Sequence, residues 1–231
     1  MYRQATISLP KNELHVWHYQ LKHEDYLHEL ENPVLSEEEK ARCSEFVYEK
    51  DKVRYICNHV FRRGVLAQYL GIKPAEVQYC YTDFGKPFFS FGEIQFSHSY
   101  RADIGLLAAN YKNETGVDIE QKKQLQDVVT FSDFSFSAAE KELIFANNRF
   151  DESMFFTFWT FKEAFIKAIG TGLNADIRQF DLADFMEHET KVLDFGDHTN
   201  WTIKKLPAQQ GFAAAYAVKG EVDKLIEFNY N

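Results

Sequence analysis

The stretch FWTFKEAFIKAIGTGL, residues 158–173, reads as an amphipathic helix carrying an ion in the wrong place. At about 100° per residue, Phe155, Phe158, Trp159, Phe161, Phe165, Ile166 and Ile169 fall on one continuous apolar arc. Lys162 projects from the middle of that arc, and Glu163 and Lys167 stand together at its Trp159 edge. A buried ammonium must find an anion or lose its proton, so Lys162 needs a partner from elsewhere in the fold. Glu163 and Lys167 have the i, i+4 spacing of an interacting pair, which alone implies no more than a surface ion pair.

Working outward, the helical pattern runs from Glu152 to Ile169 and stops at Gly170, the residue type that closes helices in a left-handed conformation. It has a fainter counterpart upstream, Lys52 to Leu70, which stops at Gly71. Each pattern follows a Ser-x-x-Glu capping-box signature, Ser36 with Glu39 and Ser137 with Glu140. The two caps are 101 residues apart and the two glycines 99 apart. Each glycine leads into a β-patterned stretch, VQYCYT from Val77 and IRQFDLADF from Ile177. This echo suggests two copies of one α+β half with a cleft between them; two unrelated helix–strand units at coincidental spacing are the alternative. Further strands are expected at EIQFSHS, IGLLAANY, ETGVDIE, WTIKKL and GFAAAYAV, the last only if a helix backs onto its alanines. DFGKPFF, from Asp83, is turn chemistry around Gly85 and Pro87.

The chain has 231 residues, 45% of them hydrophobic and 16% aromatic, which is ample for a packed core. No bilayer-length apolar run and no secretory leader is visible, so membrane insertion is not expected and the location expected is cytoplasmic. Three cysteines without CxxC spacing fit a reducing compartment and argue against a disulfide framework or a cysteine zinc site. A net charge of −9 weighs against nucleic-acid binding. Between Lys40 and Arg63, however, seven basic residues face three acids, a local balance of +4 that could hold a small polyanion or simply form solvated helix faces.

In GVDIEQ, Val117 and Ile119 alternate with Asp118 and Glu120. A strand sends the valine and isoleucine to one face and both carboxylates to the other. Carboxylates so placed are either solvated at an edge or neutralised by a cation, for which Mg²⁺ is the natural choice of hard ion. Glu163 is the candidate third carboxylate. FSHSY adds Ser97 and His98 at a strand end, where His98 could bond a phosphate, ligate a metal or be a satisfied structural residue. The other histidines, His188 and His198 among them, show no metal spacing, and the chain has no GxxxxGK[ST], GxGxxG or GxSxG signature.

In order, FGKPFF, IQFSHSY, GVDIEQ and FWTFKEAFIKAIGTGL resemble the motifs of the 4′-phosphopantetheinyl transferases, in particular their single-chain, pseudo-duplicated Sfp-type group. The resemblance spans Ser36 to Leu173 and implies an α+β fold of two similar halves related by pseudo-twofold symmetry. The N-terminal half would be 1–110, and the half bearing the metal-binding and catalytic motifs 111–231. The implied reaction moves 4′-phosphopantetheine from coenzyme A to a serine of an apo acyl, peptidyl or polyketide carrier protein, with Mg²⁺ required and 3′,5′-ADP released. By matching position, Asp118, Glu120 and Glu163 would hold Mg²⁺, Glu163 would take the serine proton and Lys167 would face the diphosphate. Lys86, Ser97 and His98 would bind phosphates, His98 near the 3′-phosphate, with Lys40, Arg42 and Arg54 toward the adenosine end.

The chain departs from the family pattern at Glu39, where a basic residue is usual, and at Thr171. Lys162 receives no catalytic task; an acid of the metal cage or the neighbouring half is its expected partner. The Phe-rich TFSDFSFS, from Thr130, is the candidate surface for an acidic carrier. A monomer is expected, because the duplicated type completes its site within one chain. A silent homologue that only docks carriers, and a different Mg²⁺-dependent nucleotide enzyme on an unrelated fold, are the rival readings.

Overall fold

The computed structural model describes residues 6–31, 33–172, 177–186, 192–194 and 200–230. Leu173, His188 and His198 lie outside them. In chain order the elements are β1 (Glu13–Gln20), α1 (His23–Glu31), α2 (Glu37–Cys43), α3 (Glu49–Leu70), β2 (Cys80–Tyr81), β3 (Pro87–Phe88), β4 (Ile94–Arg101), β5 (Ile104–Tyr111) and β6 (Thr115–Gln121). There follow α4 (Val128–Ser135), α5 (Ala138–Ile144), α6 (Glu152–Ile169), β7 (Val192–Asp194), β8 (Asn200–Leu206), β9 (Phe212–Lys219) and β10 (Lys224–Tyr230). None of the described helices is long and apolar enough to cross a membrane.

Two four-stranded sheets form a mixed α and β architecture, with strand orders β10-β1-β5-β4 and β6-β9-β8-β7. They pack face to face through Leu14, Val16, Leu106 and Ala108 on one side and Val117, Ile119, Tyr216 and Val218 on the other. The opposite face of the first sheet, carrying Trp17, Tyr19, Leu107 and Ala109, is covered by Phe61 and Val65 of α3. The outer face of the second, with Ala215, Ala217, Trp201 and Ile203, is covered by α6. The alanines of β9 are thus explained: a helix lies against them. The final strand returns to the first sheet, where β10 pairs in parallel with β1.

Both capping boxes form, and both helices end on left-handed glycines, Gly71 at φ 66° and Gly170 at φ 72°. Lys162 is wholly buried, and its Nζ stands 2.9 Å from Glu140 Oε2 and donates to the carbonyls of Ile177 and Phe180. Its partner is therefore the capping-box acid of α5 and not, as expected, Asp118, Glu120 or Glu163 or a group of the N-terminal stretch 1–110. A cluster of the same make-up occurs upstream: Arg63 Nε donates to Glu39 Oε2 at 2.6 Å, and Nη1 donates to the carbonyls of Pro74 and Val77.

These clusters also explain two corrections. VQYCYT contributes only Cys80–Tyr81 to a short hairpin with β3, and IRQFDLADF forms 3-10 turns at Ile177–Gln179 and Ala183–Met186 instead of a strand. The carbonyls there are aimed at a buried cation, and a chain so turned cannot also supply a strand ladder. The DFGKPFF turn forms as expected, with Gly85 at φ 81°.

Candidate active site

Gly116 determines how β6 meets α6. A Cβ at this position would land on the Ala164 carbonyl and the Ala168 amide of α6, so only glycine permits this approach. Beyond it the alternation of β6 plays out as read: Val117 and Ile119 are buried between the sheets, while Asp118 and Glu120 face the other way. Two serines of β4 stitch the edges of the sheets together. Ser97 Oγ accepts from the Val117 amide at 3.1 Å, and Ser99 Oγ donates to Asp118 Oδ1 at 2.9 Å.

Lys167, on the same side of α6 as Glu163, completes the junction. Its ammonium donates to Asp118 Oδ1 at 2.6 Å and to Ser99 Oγ at 2.8 Å. Asp118 Oδ2 is buried and has no hydrogen-bond partner. Glu120 pairs with Arg101 Nε at 3.0 Å and accepts from the Trp159 indole at 3.5 Å. Burial and the nearby Asp118 carboxylate raise the pKa of Glu120, and the same two causes push Glu163 up to about 7. The three acids thus act electrostatically on one another. As they stand, however, no three His, Cys, Asp or Glu side chains among the described residues are gathered closely enough to hold one ion.

Of these groups Ser97, Glu163 and Lys167 line a cavity of about 300 Å³, together with Arg62, Lys86, His98, Phe84, Gly85 and Gly170; Asp118 and Glu120 stand behind its wall and do not line it. Lys86 reaches it from the turn, donating to the carbonyls of Ala168 at 2.6 Å and Thr115 at 3.3 Å, and burial lowers its pKa to about 8. His98 is held well below its ordinary range by burial and by the Arg62 guanidinium, and its Nε2 is buried without a partner. Lys40, Arg42 and Arg54 do not line the cavity; they pair with Glu37, with Glu45, and with Asp51 and Asp103. Of the cavity-wall residues, Arg62 stands in the sequence only as one of the seven basic residues between Lys40 and Arg63, where nothing separates it from Arg63 as a site residue. Ser99 could have been found from the alternation that puts it on the same face as Ser97.

Three cations and one carboxylate of raised pKa surround the cavity, backed by an acidic strand, a charge arrangement suited to a phosphorylated ligand. The sequence comparisons give the family. Residues 114–217 match the family model described as the 4′-phosphopantetheinyl transferase superfamily, and residues 19–112 match that for the N-terminal part of 4′-phosphopantetheinyl transferases. The chain belongs to the 4′-phosphopantetheinyl transferase superfamily. It is 28% identical to 4′-phosphopantetheinyl transferase HetI of Nostoc sp., over 94% of this chain and 92% of that protein. Its identity to the L-aminoadipate-semialdehyde dehydrogenase-phosphopantetheinyl transferase of Xenopus laevis is 29%, over 81% and 69% of the two chains. With the 4′-phosphopantetheinyl transferase gsp of Aneurinibacillus migulanus it shares 30% identity, over 63% and 60%.

Proposed function

We propose that this protein transfers the 4′-phosphopantetheine group of coenzyme A to a serine hydroxyl of an apo carrier protein. In this reading the serine Oγ forms a bond to the β-phosphorus of the diphosphate, the phosphorus–oxygen bond to the nucleotide breaks, and 3′,5′-ADP leaves. The observation that carries it is the convergence of Asp118, Glu163 and Lys167 beside a cationic cavity in a chain of this superfamily. Phosphoryl transfer depends chiefly on positioning and charge neutralisation, which a lysine and carboxylates on one rigid helix–strand junction supply.

Glu163 is proposed as the acceptor of the serine proton, because a carboxyl with a pKa of about 7 can both take and hold a proton near neutrality. Lys167 is proposed to face the diphosphate, with Lys86, Ser97 and His98 contacting phosphate oxygens. Asp118, Glu120 and Glu163 are hard-oxygen donors of the kind Mg²⁺ takes, and the orphaned Asp118 Oδ2 offers a free lone pair. When bound, that ion would neutralise charge on the diphosphate. Lys40, Arg42 and Arg54, off the cavity wall, would act on an anionic substrate through the local positive excess of the stretch from Lys40 to Arg63.

We read the fold as two α+β halves, 1–110 and 111–231, related by pseudo-twofold symmetry with β10 exchanged to the first sheet. The paired Glu39–Arg63 and Glu140–Lys162 clusters support this. The cavity draws Arg62, Lys86 and His98 from one half and Glu163 and Lys167 from the other, which supports a monomer. The carrier would dock on α4, where Val129, Phe131 and Phe134 are exposed and Phe131 packs on Trp159 beside Glu120. A cytoplasmic location is supported by three free thiols. The test is mass spectrometry of an apo carrier incubated with the protein, coenzyme A and Mg²⁺. The gain of one phosphopantetheinyl group supports transfer, whereas carrier binding without gain identifies a silent docking homologue.

A further inference from the structure

Ser97, Ser99 and Arg101 stand at every second residue of β4 and therefore on one face, and all three reach β6. Ser97 holds the Val117 amide, Ser99 holds Asp118, and Arg101 Nε stands 3.0 Å from Glu120 Oε2. The two carboxylates of the strand are thus drawn to different internal cations, Asp118 to Lys167 on α6 and Glu120 to Arg101 at the end of β4. Lys167 lines the cavity; Arg101 does not, and the proposed reaction gives it no task. The Arg101 side chain is 42% exposed against 18% for Glu120, so the guanidinium can turn out into water at small cost. Glu120 stays in the seam, where its other oxygen accepts from the Trp159 indole. The base of the arm is fixed by the turn that follows it. The Asp103 carbonyl accepts from the Leu21 amide at 2.7 Å, and its carboxylate accepts from Arg54 Nε at 3.0 Å.

We propose that Arg101 is a displaceable counter-ion for Glu120, which competes with a divalent cation for that carboxylate and so sets how tightly the acidic strand binds the ion. The proposal rests on the reading above in which Asp118, Glu120 and Glu163 are the donors to Mg²⁺. A guanidinium and a metal ion draw on the same oxygens and repel one another, so a firmer hold by one weakens the other. Arg101 also neutralises an acid that shares its strand face with Asp118, a like-charge arrangement that otherwise costs the fold. It acts through Glu120 and is a positioning residue.

The test is binding of Mn²⁺, which shares the preference of Mg²⁺ for octahedral oxygen ligands, with the free ion counted by electron paramagnetic resonance. Arg101→Met should bind Mn²⁺ about fivefold or more tightly than the wild type. Glu120→Gln should bind more weakly than the wild type, and adding Arg101→Met to it should bring no gain, because the carboxylate under competition is gone. Unchanged or weaker binding by Arg101→Met overturns the proposal, and so does a wild type and Arg101→Met that both leave the Mn²⁺ signal unaltered. An equal gain in both backgrounds overturns it too, since that is the signature of a general change in potential. Arg101→Gln is read in the same way if Arg101→Met does not melt cooperatively. Wild-type affinity in Glu120→Gln would remove Glu120 from the metal reading itself, whereas a weakened Glu120→Gln beside an unchanged Arg101→Met would overturn this inference alone.

Discussion

Lys162 Nζ lies 2.9 Å from Glu140 Oε2, with both side chains sealed from solvent and Glu140 simultaneously accepting from the Ser137 and Leu182 amides. An ammonium on the apolar face of α6 is thus a peg that ties α5, α6 and the turns at Ile177 and Phe180 into one body. Removing one partner of such a pair leaves the other charged and buried. Lys162→Met should therefore cost about 3–5 kcal/mol in urea unfolding. The double variant Lys162→Met/Glu140→Gln should lose less than the sum of the single variants; additive losses would mean the two groups are not coupled.

Gly116→Ala tests the approach of β6 to α6. A methyl group there meets backbone, which cannot rotate away, so the strand must shift. The expected cost is about 1–3 kcal/mol or more, read from the urea midpoint, and transfer should fall with it because Asp118 moves relative to Lys167. A variant with wild-type midpoint and activity would contradict the packing.

Lys167→Met addresses the proposed charge neutralisation. Transfer measured as kcat/KM should drop by about 10²–10³-fold, the size expected when a group aimed at developing charge is lost. Activity within about threefold of wild type would remove Lys167 from the site.

Glu163 gives a pH signature. Its folded pKa, about 7, is raised above the model-peptide value of 4.5 by burial first and by Asp118 second. The folded chain therefore binds this proton more tightly than the unfolded chain. The resulting stabilisation is complete below pH 4.5 and is lost as the pH rises through 7. Wild type should lose stability relative to Glu163→Gln across that window, as measured by urea midpoints in buffers lacking divalent cations. A constant difference between the two proteins would show that Glu163 titrates normally.

Much of this was legible in the residues. The caps at Ser36 and Ser137, the glycine stops, the alternation of GVDIEQ and the span of α6 follow from local chemistry, and each formed as read. The strand β1 was not marked because the polar–apolar alternation of ELHVWHYQ breaks at Val16–Trp17, and its neighbour β10 lies at the far end of the chain. The stretches at Val77 and Ile177 have strand composition, but their carbonyls are claimed by Arg63 and Lys162, a long-range demand that no local pattern displays. Arg62 was hidden for the same reason: its neighbour Arg63 looks identical in sequence, and only the packing against Glu39 sends one to the cavity and the other to the turn.

The most direct measurement is mass spectrometry of apo fatty-acid, peptide and polyketide carriers incubated with coenzyme A, Mg²⁺ and either wild type, Asp118→Asn or Glu163→Gln. The account predicts that the wild type adds one phosphopantetheinyl group to at least one carrier while both variants, folded as judged by their melting, add almost none. Wild-type rates in either variant, or no addition by the wild type to any carrier, would contradict it.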